Sequence, residues 1–215
     1  MTALIDGRLS RITAREYYKY RAQKLEEILR AYCRSIEKLV EIGSGAGRNL
    51  FALALTGRWP QLHGVEISST GREVARQVAV HYDIKNVTTS HIDLLDTNSV
   101  GFGDLRGATV FSFYCLEQLP AHTRTVMLNL LSAGVSRVVH IEPTPELFSK
   151  TSLRDLATVT YIWRQNYQRS LVQTALALEK EGLIRILKIG RLNFAPTCRN
   201  DPTLVVWEPS RMEHP

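Results

Sequence analysis

Three acidic residues stand at the ends of short apolar runs: Glu41 in LVEIGSGAG, Glu66 in QLHGVEIS and Asp93 in SHIDLLD. Gly43, Gly45 and Gly47 follow the first of them, alternating with Ser44 and Ala46. A glycine-rich turn behind a strand commonly receives a nucleotide, and a dinucleotide fingerprint would space its glycines G-x-G-x-x-G. That spacing is absent, because position 48 is arginine. Glu41 sits where a pyrophosphate would lie; its carboxylate repels phosphate but accepts hydrogen bonds from an ammonium group. The turn therefore favours a ligand with a cationic amino-acid end and no phosphate. Glu66 stands where ribose hydroxyls fall in such sites, and a carboxylate there can accept both bonds of a cis-diol. Asp93 is placed to accept from an adenine amino group, with Ile92 and Leu94 covering the ring.

These residues need a sheet that delivers them to one edge. The pattern predicts a helix over 13–36, then strands at 38–43, 61–67, 86–93, 107–114 and 136–143. Helices separate them: one through about residue 56, one from Ser69 to Tyr82, one from Pro120 to Leu131 and a long one from Ser152 to Glu181. Gly182 suits a helix C-cap. Two last strands, 183–190 and 203–209, lack an intervening helix and should pair antiparallel. The expected fold is α/β: a single-domain, Rossmann-like, doubly wound sheet of seven strands. It carries an antiparallel C-terminal hairpin and an N-terminal helical cap, with residues 1–36 as the cap and 37–215 as the core.

The 215 residues suffice for one such domain, and 44% hydrophobic with 22% charged residues is ordinary for a soluble protein. The N-terminus has no continuous apolar segment of a secretory signal, and a cytoplasmic location is expected. Cys33, Cys115 and Cys198 show no metal or disulfide spacing, nor do His63, His81, His91 and His214. Each cysteine is expected to be a small buried hydrophobe, and no metal is expected. The net charge of +6 would suit nucleic acid, but the basic residues are spread along the chain. From Arg11 to Glu37, Arg34 and six other cations interleave with Glu37 and three further acids, as on a solvated helix face.

The order of these motifs resembles that of the class I S-adenosylmethionine-dependent methyltransferases. Glu41–Gly47 resembles the family's glycine motif, Glu66 its ribose-binding acid and Asp93 its adenine-contacting acid. SFYCLEQLP, from Ser112, resembles its segment after the fourth strand. The resemblance covers about residues 38–143. It implies that S-adenosylmethionine is the cofactor and S-adenosylhomocysteine the product. The methionine part would lie near Glu41, Gly43 and Gly45, with Ser44, Gly47, Asn49 and Ile67 around the motifs. The backbone from Phe113 through Tyr114 to Cys115 would lie near the sulfonium. Gln118 stands where many relatives carry histidine, so a role of that histidine does not carry over.

Candidates on the acceptor side are fewer. His122, near a helix start, would suit a general base for an alcohol or phenol, or be an exposed first-turn histidine. Glu117 could be catalytic or a structural acceptor, and Glu142 a substrate contact or a structural acceptor. His140, within a strand, suits the core. Tyr17, Tyr18 and Arg21 lie on the helix before the core and could form a lid. Tyr161 and Arg164 on the long helix could reach substrate, and the loop 142–150 would form the pocket rim.

The amino-methylating DNA enzymes of the family carry an Asn/Asp-Pro-Pro-Tyr/Phe motif that is absent here. Cys115 also follows tyrosine rather than the proline of a cytosine-carbon enzyme. A small-molecule metabolite or natural product, methylated on oxygen or nitrogen, is therefore the expected acceptor. RNA methylation and cofactor binding without catalysis are the alternatives. No membrane partner is expected, and the terminal hairpin offers an edge for a homodimer.

Overall fold

The computed structural model describes residues 1–33, 38–197 and 199–210. The expectations for Arg34, Glu37, Cys198 and His214 lie outside the described residues.

The chain starts with a hairpin that the helical periodicity did not predict: β1 (Thr2–Ile5) pairs antiparallel with β2 (Arg8–Arg11). Asp6 and Gly7 form its two-residue turn, with φ of 46° and 80°. An Asp-Gly pair between short apolar stretches favours this geometry, because both positions need positive φ. Leu4 bridges to Ala195, so the hairpin is fastened to the segment before the last strand. Helix α1 (Ala14–Tyr32) then begins at a capping box, where Thr13 and Glu16 satisfy each other's backbone amides. The N-terminal part is thus a hairpin plus a helix rather than a helix alone.

The core runs β3 (Leu39–Ile42), α2 (Arg48–Ala54), β4 (Leu62–Glu66), α3 (Ser69–His81), β5 (Val87–His91) and β6 (Thr109–Phe113). It continues with α4 (Thr123–Ser132), β7 (Arg137–Glu142), α5 (Leu153–Arg164), α6 (Leu171–Lys180), β8 (Ile184–Arg191) and β9 (Thr203–Pro209). The seven-stranded sheet has the order β5-β4-β3-β6-β7-β9-β8. Its first five strands are parallel, and β9 pairs antiparallel with both β7 and β8. Strand order reverses between β3 and β6, which opens a crevice at the carboxyl ends of the strands.

Two buried layers line the sheet's faces. Val40, Ile42, Val110 and Val138 face α4 and α6 through Val126, Leu130 and Leu178. Leu39, Phe111, Phe113, Val139 and Ile141 face Leu25 and Leu29 of α1. Burying each such leucine contributes roughly 2 kcal/mol, so α1 is held as part of the core.

Two helices differ from the sequence expectation. The long helix over 152–181 is broken in two, with Asn166 at φ 52° between α5 and α6. The break carries the buried Gln168, whose backbone N–H donates to the Glu117 carbonyl at 3.0 Å and whose Nε2 donates to the Pro143 carbonyl at 2.7 Å. Glu146 caps α6 from a distance by accepting from Val172 N and Gln173 N. Helix α4 starts at Thr123 instead of Pro120, because residues 120–122 form a separate turn in which His122 N–H donates to the Leu119 carbonyl at 3.0 Å. Among the described residues, no helix is long and apolar enough to cross a membrane.

Candidate active site

A cavity of about 370 Å³ opens at the carboxyl ends of β3, β4, β5 and β6. Its wall contains Gly43 and Gly45 after β3, Glu66 and Ile67 after β4, and Ile92, Asp93 and Leu94 after β5. Tyr114, Cys115, Gln118 and Leu119 after β6 complete it. Four segments distant in sequence thus meet. Gln118 and Leu119 were absent from the expected site residues; they enter because the turn after β6 bends its far side back into the crevice.

The glycine turn has a steric reason at Gly43. Its φ is +66°, and a Cβ there would lie 2.2 Å from Cys115 Sγ and 2.8 Å from Cys115 Cβ. Gly45 also has positive φ, +54°, but open space where a Cβ would stand. Its N–H donates to Glu66 Oε2 at 2.8 Å, and Ser68 N–H donates to Glu66 Oε1 at 2.8 Å. Arg72 donates to the carbonyls of Glu66 and Ile67. The Glu66 carboxylate is therefore oriented before any ligand arrives, with lone pairs left to accept from a diol. Asp93 caps its own turn, accepting from Leu95 N–H at 2.9 Å, and Ser99 Oγ accepts from Asp93 N–H.

Glu41, Ser44, Gly47, Asn49 and Phe113 stand behind the wall rather than in it. Glu41 is buried; its Oε1 accepts from Asn49 Nδ2 at 2.5 Å, while Oε2 has no partner. Burial pushes its carboxyl up to about 8, against the lowering effect of Asn49 and Arg21. Arg21 of α1 donates to Asn49 Oδ1 at 2.7 Å and lies 4.2 Å above the centre of the Phe113 ring. Its Nε is buried without a partner. Burial lowers the guanidinium pKa, and no carboxylate pairs with it directly among the described residues. Arg21, expected on the acceptor side, thus reaches the residues around the glycine turn.

After β6 the chain is held by Glu142 at the end of β7. Glu142 is fully buried, and its two oxygens accept from Cys115 N–H at 3.0 Å and Glu117 N–H at 3.3 Å. Burial pushes its carboxyl up to about 7. This is the geometry of a structural acceptor that fixes the turn, away from the cavity wall. His140, one turn of the pleat earlier, is buried against Ser112 Oγ at 3.0 Å, and burial lowers its pKa to about 3. Tyr114 adopts φ 57°, a conformation costly for a bulky residue. Its ring packs edge-on to Phe113, and its hydroxyl donates to the Asn200 carbonyl at 2.8 Å.

Glu117 is buried beside this turn, its carboxyl raised to about 8 by burial and then by Glu142. Tyr17 is buried with an unpartnered hydroxyl, and burial raises its pKa. Tyr18 is exposed and stacks under Arg48 at 4.9 Å. Tyr161 is half-buried, edge-on to Tyr167 at 6.0 Å, whereas Arg164 is exposed. His122 is exposed at the start of α4 and outside the cavity wall. Cys33 and Cys115 are half-buried. Among the described residues, no cluster of His, Cys, Asp and Glu could hold a metal ion.

Acidic side chains cluster around the cavity. Burial pushes the Cys115 thiol up, and Glu142, Glu66, Glu41 and Glu117 push it further. Among the described residues, no lysine or arginine stands in the cavity wall. Anionic ligands are disfavoured there and cationic ones favoured.

No family model matches the chain, and no curated protein matches it. Solved structures do. A magnesium protoporphyrin IX methyltransferase from Synechocystis PCC 6803 with bound SAH superposes with TM-score 0.62 at 15% identity, covering 94% of this chain and 90% of that one. A geranyl diphosphate C-methyltransferase from Streptomyces coelicolor A3(2) gives TM-score 0.63 at 14% identity, over 91% and 80% of the two chains. The (4+2)-cyclase SpnF gives TM-score 0.69 at 12% identity, over 97% and 86%. At such identities the likeness is one of architecture. The chain has the fold of the class I S-adenosylmethionine-dependent methyltransferases.

Proposed function

We propose that the protein is an enzyme that transfers a methyl group from S-adenosylmethionine to an oxygen or nitrogen of a small molecule. The observation that carries this reading is the acidic cavity at the strand-order reversal, with no lysine or arginine in its wall among the described residues and with Glu66 preset by two backbone amides. It suits a nucleoside joined to a cationic, phosphate-free tail. The fold neighbours that act on magnesium protoporphyrin IX and geranyl diphosphate support a small-molecule acceptor. A cyclase shares the fold, so transfer has to be tested separately from binding.

The residues present fit this cofactor. Glu66 would accept from the ribose hydroxyls, and Asp93 from the adenine amino group between Ile92 and Leu94. The free Glu41 Oε2 would accept from the α-ammonium, and the unpaired Arg21 Nε would meet the α-carboxylate. Tyr114 and Cys115 would border the sulfonium. The cofactor supplies an electrophilic methyl group on a positive sulfur. The chain's part is to align the acceptor and to keep the positive centre beside acidic side chains. Residues 1–36 would cap the site through Arg21 and Tyr17.

The test has two arms: calorimetric binding of S-adenosylhomocysteine, and labelled-methyl transfer into fractionated cell extract. Glu66→Ala is expected to weaken binding at least about tenfold, since charge-assisted bonds contribute about 1.5–3 kcal/mol each. Unchanged affinity would remove the ribose assignment. Label in RNA or protein instead of small molecules would overturn the acceptor class.

A further inference from the structure

The cofactor assignment leaves Glu117 without a role. This residue belongs to the Leu116–Gln118 turn, flanked by Cys115 and Gln118 of the cavity wall. It is only 8% exposed, and its Oε2 has no hydrogen-bond partner. The Asn200 side chain bonds to the carboxylate, yet Asn200 Oδ1 is itself buried without a partner. The other charge acting strongly on Glu117 is Glu142, of the same sign. Aromatic rings stand nearby: Tyr114, in the cavity wall, and Tyr167, against which Tyr161 packs edge-on, both feel the Glu117 charge.

Two unpartnered buried oxygens beside a carboxyl that no cation compensates, among the described residues, define what would satisfy them. A hydroxyl brings one donor, a carboxylate or phosphate none. A diol would bring two donors but no opposite charge, and so would not let the buried Glu117 carboxyl ionise. An ammonium brings two or three donors and the opposite charge, and tyrosine faces favour a cation.

Resting on the methyltransferase reading above, we propose that the acceptor is a primary or secondary amine, bound as its ammonium ion between Glu117 and Asn200. The ammonium gives one proton to the Glu117 carboxylate. The nitrogen lone pair so freed forms the new N–C bond, while the electron pair of the broken C–S bond stays on sulfur, leaving a neutral thioether. The product leaves as the N-methylated ammonium, and Glu117 returns its proton to solvent. Glu117 is thus both the recognition group and the base.

The experiment is ligand-observed NMR on the full chain saturated with S-adenosylhomocysteine. The probes are phenethylamine, benzylamine and putrescine, each set against the alcohol that replaces its amino groups by hydroxyls. At least one amine is expected to bind about tenfold more tightly than its alcohol, a difference of about 1.4 kcal/mol. Glu117→Gln, of the same shape, is expected to abolish that preference without altering S-adenosylhomocysteine affinity. Asn200→Ala, further from the turn, should reduce it. Equal binding of amines and alcohols, no binding by any amine, or a preference that survives in Glu117→Gln would overturn the proposal while the cofactor reading stood. Failure of the wild type to bind S-adenosylhomocysteine would overturn both.

Discussion

Arg21 and Glu41 stand at the two ends of one hydrogen-bonded relay. Arg21 donates to Asn49 Oδ1 at 2.7 Å, and Asn49 Nδ2 donates to Glu41 Oε1 at 2.5 Å. The helix before the core is thereby joined, through the first turn of α2, to the carboxylate behind the glycine turn. Each end keeps one free buried atom, Arg21 Nε and Glu41 Oε2. A zwitterionic amino-acid group is the ligand chemistry that uses both.

The relay makes the two ends interdependent. Arg21→Ala and Glu41→Gln are each expected to weaken S-adenosylhomocysteine binding by about ten- to a hundredfold. The double variant should lose less than the product of the two, because either change alone disorders Asn49. Calorimetric titration of the four proteins measures this. Strict multiplicativity would mean that the two residues act separately.

The glycine turn predicts an order of damage. Gly43→Ala pays both for positive φ and for a Cβ 2.2 Å from Cys115 Sγ, whereas Gly45→Ala pays for φ alone. Backbone strain of this kind costs about 1–2 kcal/mol, and overpacking adds about 1–3 kcal/mol. Urea midpoints should therefore fall further for Gly43→Ala than for Gly45→Ala. An equal fall would mean that the contact with Cys115 relaxes freely.

The buried carboxyls predict a pH dependence. Glu117 is raised from 4.5 to about 8, Glu41 to about 8 and Glu142 to about 7, in each case chiefly by burial. A raised folded-state pKa means that the unfolded chain releases its proton first as pH climbs. The stability these groups contribute is full below about pH 4.5 and is lost as pH rises towards 8. Glu117→Gln removes one such loss. Its stability relative to wild type should rise across that window by up to a few kcal/mol, at about 1.4 kcal/mol per pKa unit. Urea unfolding of both proteins from pH 5 to 8.5 checks this, and a flat difference would show that Glu117 is solvated.

Chemistry carried by neighbours in the chain could be foreseen from the sequence. Glu41, the glycines, Glu66 and Asp93 each end a short apolar run, and a parallel sheet brings strand ends to one edge whatever the side chains do elsewhere. The alternation of strands and helices determined that sheet, and the missing helix between β8 and β9 determined its antiparallel end. The Asp6-Gly7 turn was also legible, but the strong period of α1 drew the whole N-terminus towards a helix.

Tertiary structure alone decided the rest. Glu142 is a brace for Cys115 and Glu117 because β7 lies beside β6, a pairing no local pattern encodes. Arg21 sides with the glycine turn because α1 packs on the face of the sheet that carries Phe113. Tyr114 meets Asn200 across 86 residues of sequence. Local propensity sets which strand ends hold acids; long-range packing sets which of those acids are desolvated, satisfied or left free, and therefore what each can do.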